Sequence, residues 1–193
     1  MALEQHVNRA ARVLLSDYLL LTLLVTSLGG NVYQALRLSQ CGRISGRPDV
    51  VTAGTAVPSF EALDVQGNIQ TVRLSGQRRP TVVFAYSPNC VWCKATWPLF
   101  SHVAKARAAQ FRFMTLCLGV SPVFRDDDVA AFARPSESVV NVLHLTTVPQ
   151  TILIEGNGRV QRVWAGAYVG GTRTAIERYF GLSLPNLSAT ERR

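Results

Sequence analysis

The sequence predicts an α/β fold: a central mixed sheet flanked by helices, with an extra N-terminal β-hairpin and one transmembrane helix ahead of it. Three observations carry that prediction. From Val57 onward, β-branched and aromatic runs alternate with helix-like segments. Two pairs of such runs are joined by glycine-containing turns, Gln66-Gly67-Asn68 and Gly156-Asn157-Gly158. Residues 13–36 form an apolar stretch without Lys or Arg.

The chain has 193 residues, enough for one domain of ordinary size plus an anchor or tail. With 48% hydrophobic and 17% charged residues it is globular in composition. The net charge of +8 comes mostly from arginine. The arginines are scattered, and no stretch reads as a recognition helix or an aromatic platform for RNA, so nucleic acid is not an expected partner. Attraction to an anionic membrane surface is the expected consequence.

In chain order, residues 1–12 read as an N-terminal tail and residues 13–36 as the anchor. Leu20-Leu21-Thr22-Leu23-Leu24-Val25 dominates the latter, and at helical rise the stretch can cross a hydrocarbon core of about 30 Å. Asp17 sits near one end, where it can reach the interface. A cleaved signal peptide is the alternative, with Arg9 and Arg12 at its start and small residues at Ser27 to Gly29. The apolar run continues to Leu36 without an A-x-A site, which favours an uncleaved anchor. Arginines flank both ends, so charge does not orient it. A short tail before one span, and a cysteine pair suited to an oxidising compartment, favour a C-terminal domain facing out of the cytoplasm. That places the protein in the inner membrane as a single-pass chain, in contact with lipid through its N-terminal helix.

Residues 37–55, with Gly42, Gly46, Pro48 and Gly54, read as a tether. Cys41 within it is read as a bystander thiol, with a subunit contact or lipid attachment as alternatives.

The domain is expected over residues 56–184, followed by a polar tail, 185–193. Ser59 to Val65 and Ile69 to Leu74 make the first hairpin. Thr81 to Tyr86 is an apolar run suited to the middle of a covered sheet. The helix that follows runs toward Ala109 and contains Pro98, which is expected to kink it or break its ladder. Phe111 to Leu118 is the next strand, with Cys117 expected in the core. Asp126-Asp127-Asp128 before Val129, Ala130 and Phe132 reads as a capped helix start, with a metal site as the weaker alternative. Thr151 to Glu155 and Arg159 to Trp164 form the second hairpin, and Thr172 to Phe180 the closing helix before Gly181.

The chemistry concentrates in Ser87-Pro88-Asn89-Cys90-Val91-Trp92-Cys93-Lys94. A cysteine in the first turn of a helix sits at the positive end of the dipole beside unpaired N–H groups, and both stabilise a thiolate. One helical turn brings Cys93 back under Cys90, so the sulfurs can join with little backbone movement. A static disulfide and half of a zinc site are the alternatives. Zinc would need two further ligands, and Cys41, Cys117, His6, His102 and His144 form no second close pair.

Cys90-Val91-Trp92-Cys93-Lys94 after a strand, Pro98 in the helix, Val57-Pro58-Ser59-Phe60 at the start of the domain and Val148-Pro149 before Thr151-Ile152-Leu153-Ile154 are the residues of a recognisable pattern. The chain resembles the thioredoxin superfamily, and within it the membrane-anchored TlpA/ResA-like thiol–disulfide oxidoreductases. The resemblance covers roughly Val57 to Leu184 and implies a thioredoxin-like fold. It implies catalysis by Cys90 as the exposed nucleophile and Cys93 as the resolving thiol, with no cofactor and no metal beyond the redox-active disulfide. Val91, Trp92, Val148 and Pro149 would contact the substrate chain. From the residues alone a trans proline at a strand entrance is equally open; the resemblance implies a cis Pro149 facing the cysteines.

Implied partners are a disulfide- or thiol-containing client protein and a membrane electron-donor protein, in processes such as cytochrome c biogenesis or methylamine dehydrogenase maturation. Two positions depart from the pattern. Phe84 stands where thioredoxins often carry a buried acid, and Thr96 where ResA-like reductases carry a glutamate. A copper chaperone, which would use a C-x-x-x-C pair with a distal histidine such as His144, and a non-catalytic binding module are the alternative functions.

Overall fold

The computed structural model describes residues 22–31 and 50–186. The chain divides into two compact units, Met1–Gly46 and Arg47–Arg193. In the first, residues 22–31 are helical (α1), with Leu23, Leu24, Val25 and Leu28 largely exposed. No described helix is long and apolar enough to cross a membrane. The rest of the 13–36 stretch, Cys41 and the polar tail from residue 187 lie outside the described residues.

The second unit is a seven-stranded mixed sheet. Its strands are β1 (Phe60–Leu63), β2 (Ile69–Val72), β3 (Thr81–Tyr86), β4 (Arg112–Cys117), β5 (Val129–Ala133), β6 (Gln150–Ile154) and β7 (Val160–Ala165), in the spatial order β2-β1-β5-β4-β3-β6-β7. Helices α2 (Val91–Arg107), α3 (Glu137–Val142) and α4 (Gly170–Phe180) complete it. β3, β4 and β5 run parallel, while β6 and β7 are antiparallel to their neighbours. Every residue of β3 and of β6 is buried, as strands covered on both faces require.

Side-chain alternation sends Val82, Phe84 and Tyr86 into one core with residues of α2 and α4, and Val83 and Ala85 into another with Val139 and Leu143 around α3. The first core is aromatic. Phe84 lies 4.9 Å from Phe100 and 5.9 Å from Tyr86 between ring centroids, and Trp97 stacks on Phe124 at 5.1 Å.

Both predicted hairpins form, β1–β2 and β6–β7, and α4 closes the fold with Gly181 in the left-handed conformation at φ 60°. The acidic run does not start a helix. Val129–Ala133 is strand β5, paired along its length with β4, and its burial alternates as a strand's does. The alanines suit a helix, but an unpaired β4 edge is available and register with it decides the state. Asp126 instead anchors the turn before β5: Ser101 and Lys105 of α2 hydrogen-bond its carboxylate, with Lys105 Nζ at 3.1 Å. Burial acts to raise its pKa, but these partners hold it below the ordinary aspartate value. The β4–β5 crossover therefore contains no helix, and its loop delivers Phe124 to the aromatic core.

Helix α2 continues through Pro98 for all of its 17 residues. The missing N–H falls at the start of the third turn, where it costs the single bond to the Lys94 carbonyl.

Candidate active site

Strand β3 ends at Tyr86, and Ser87-Pro88-Asn89 turns the chain into α2 with Cys90 as its N-cap. The Cys93 N–H points at Cys90 Sγ from 3.1 Å, and the first turn of α2 contains no acidic side chain to offset the dipole. The fold thus places a half-buried sulfur where backbone N–H groups and the helix terminus both favour negative charge. Cys90 and Cys93 are joined in a disulfide with Cα atoms 5.2 Å apart. Cys93 is fully buried, whereas Val91 and Trp92 are 60% and 61% exposed. One sulfur is open to an incoming chain and the other is sheltered.

The Val148–Pro149 peptide is cis. Register explains its position: Ala85 of β3 pairs with Gln150 of β6, so the residues before Gln150 arrive beside the residues after Tyr86. Val148 O lies 3.9 Å from Cys90 Sγ. The six residues expected at the site, Cys90, Val91, Trp92, Cys93, Val148 and Pro149, all stand at this one end of the sheet.

Phe84 is buried in the aromatic core, and Thr96 is buried with its hydroxyl donated to the Trp92 carbonyl at 2.7 Å. No Asp or Glu is among the buried residues described, so Cys93 has no buried carboxylate as a proton acceptor.

Two contributors escaped the sequence reading. Gln150 is fully buried and its amide donates to the carbonyls of His144 and Thr147, at 3.1 and 2.8 Å, bracing the loop that carries Val148. Its polarity at the head of an apolar strand was the available signal. Tyr86 accepts hydrogen bonds from the N–H groups of Val123 and Phe124 at 2.8 and 3.2 Å, fixing the β4–β5 loop at the same end. Burial pushes its pKa up to about 12, those two N–H groups oppose the rise, and neighbouring Cys117 adds to it. Cys117 is buried in the core, as expected of it. Among the described residues no group of three or more His, Cys, Asp or Glu could hold a metal ion.

The sequence matches no protein-family model and no curated protein. Solved structures do match. A candidate thiol:disulfide interchange protein DsbE from Chlorobium tepidum is 14% identical with a TM-score of 0.53, over 68% of this chain and 97% of its own. This is a thioredoxin fold. The exposed lipoprotein thioredoxin of Streptococcus pneumoniae strain TIGR4 is 15% identical with a TM-score of 0.51, over 65% of this chain and 100% of its own. DsbF of MTB, solved in mixed oxidized and reduced forms, is 21% identical with a TM-score of 0.50, over 66% of this chain and 99% of its own. Within the thioredoxin fold, the strand-to-helix turn that carries Cys90 and the loop that carries Pro149 form the site described above.

Proposed function

We propose that the protein is a membrane-anchored thiol–disulfide oxidoreductase that reduces or exchanges disulfides of extracytoplasmic client proteins through Cys90 and Cys93. The observation that carries the reading is the asymmetric pair: Cys90 half-buried at the N terminus of α2, bonded to a fully buried Cys93 and facing Val148. Similarity in fold to a candidate thiol:disulfide interchange protein supports it.

In the reductive direction, the Cys90 thiolate attacks one sulfur of a client disulfide. A mixed disulfide forms, and the other client sulfur leaves as a thiolate that takes up a proton. Cys93, after losing its proton, attacks Cys90 Sγ and expels the second client thiolate, leaving Cys90–Cys93 oxidised and the client reduced by two electrons. A membrane dithiol protein returns the two electrons. Val91 and Trp92 present the apolar surface for the client, and the half-buried Val148 offers its backbone to an extended client segment. The chain is anchored in the inner membrane by residues 13–36, with the domain in the periplasm or an equivalent space. Clients in cytochrome c or methylamine dehydrogenase maturation fit this chemistry.

The test is Cys93→Ser. Without the resolving thiol, mixed disulfides to Cys90 accumulate and disappear when Cys90 is also replaced. A non-catalytic binding module would trap nothing covalently, and that result would remove the enzyme reading.

A further inference from the structure

The end of the sheet remote from Cys90 has its own character. Thr81 pairs with both Arg112 and Ile154, and Ile154 with Val160, so β3, β4 and β7 begin there and β6 ends there. Arg78 and Arg79 lie just ahead of β3, with Pro80 between, Arg159 precedes β7, and Arg112 opens β4. Arg73 joins them, its carbonyl 3.4 Å from Arg112 Nη1. All but Arg112 are exposed, and Arg112 is partly so. None of the five has a carboxylate within ion-pair distance among the described residues. Where they are bonded, it is to carbonyls: Arg79 to Ala108, Arg112 to Arg73 and Arg159 to Gly54. Asp127 and Asp128 line the cleft beside Arg79 and Arg112, and Glu155 is engaged with Asn157 in the β6–β7 turn, so acids flank the cluster without pairing to it.

The chain also joins the domain at this end. Gly54 N–H donates to Val160 O at 2.7 Å, Val160 N–H to Thr55 O at 2.9 Å and Val57 N–H to Gly158 O at 2.9 Å. The residues arriving from the N-terminal side are thus strapped to the start of β7, next to Arg159. The six residues of β3 separate this end from the Cys90 end by ~20 Å.

We infer that the arginine end is the face on which the domain rests against anionic phospholipid headgroups, with the Cys90–Cys93 end directed away from the bilayer toward clients. The inference rests on the anchor in the proposed function. Guanidiniums with no carboxylate partner among the described residues complement phosphate, offering several donors each. The tether between Leu36 and Val50 can extend to at most ~50 Å, so it keeps this face within reach of the bilayer.

The experiment is hydrogen exchange on the full chain reconstituted in vesicles of phosphatidylcholine alone, and in vesicles of equal parts phosphatidylcholine and phosphatidylglycerol. The amides of residues 76–79 and 157–159 exchange at least ~5-fold more slowly in the anionic vesicles, the effect expected from as little as one arginine at such a surface. High salt and the double variant Arg78→Glu, Arg79→Glu abolish the difference, and the amides around Cys90 exchange alike in both lipids. Equal exchange in the two vesicles overturns the inference. So does equal protection when inorganic phosphate or a duplex oligonucleotide is added to neutral vesicles. Exchange with a small disulfide, followed on the same samples, reports separately on the cysteines; its absence would sink the redox reading and leave the arginine face standing. Flotation with neutral vesicles tests the anchor by itself: a chain that floats only with anionic ones lacks the anchor on which the inference rests, and that result overturns it.

Discussion

Cys90 Sγ lies 3.9 Å from the carbonyl oxygen of Val148, across 58 residues of sequence. Two independent features create that proximity: the turn that starts α2 at the end of β3, and the antiparallel register of β6 against β3. In the proposed reaction, a client chain lying along Val148 would bring its sulfur to Cys90, the half-buried member of the cysteine pair.

Trp92 stands beside this pair with 61% of its surface exposed. Trp92→Ala lowers kcat/KM for a disulfide-bonded protein about 10-fold, the loss typical of an aromatic anchor at an interface. The rate with a small soluble disulfide stays within about 2-fold, because that substrate needs no docking surface. Parallel assays with the two substrates check the difference.

Gln150 holds the Val148 loop through two carbonyls, while its own Oε1 has no partner among the described residues. Gln150→Leu removes the two donors and the orphaned acceptor together, so the loss of stability is limited to ~1–2 kcal/mol. Loosening the loop costs more in function than in stability. A denaturant midpoint and single-turnover exchange with a protein disulfide, measured side by side, should show the larger change in exchange.

Tyr86 gives a pH signature. Its folded pKa, about 12, exceeds the ordinary tyrosine value of 10.0, so the folded state retains the phenol proton that the unfolded chain has lost. This contribution to stability is fully present below pH 10 and is lost as pH rises from 10.0 through about 12. Tyr86→Phe flattens that alkaline decline. It also strands the Val123 and Phe124 N–H groups, costing ~1–3 kcal/mol near neutral pH. Unfolding curves at pH 7, 10 and 11.5 for both proteins check both parts.

The elements legible in the sequence are those whose signals are local. The two hairpins were visible because glycine turns separate short alternating runs, and β3 because six consecutive apolar or β-branched residues lead into Cys90. Strand β5 was not legible: Val129 to Ala133 is helix-prone in isolation and becomes a strand because β4 offers an edge in register. Of the site, the cysteines are local, and Val148-Pro149 could be joined to them only through the resemblance, since the β3–β6 register is non-local. Gln150 and Tyr86 act through backbone groups of distant loops, and no spacing in the chain records such contacts. The arginine end was hidden for the same reason. Arg73, Arg79, Arg112 and Arg159 are scattered in sequence and become neighbours only when β3, β4 and β7 align.

The most direct measurement is a redox titration of the purified protein in graded thiol–disulfide buffers, following tryptophan fluorescence and the mass of alkylated Cys90 and Cys93. The account predicts one reversible two-electron transition, tenfold in ratio for each ~30 mV, with a midpoint between about −270 mV and about −120 mV. A midpoint at the lower end marks a reductant of clients, and one at the upper end a donor of disulfides. A pair that stays disulfide-bonded or stays reduced throughout, with no reversible transition, would contradict the claim that Cys90 and Cys93 carry the protein's chemistry.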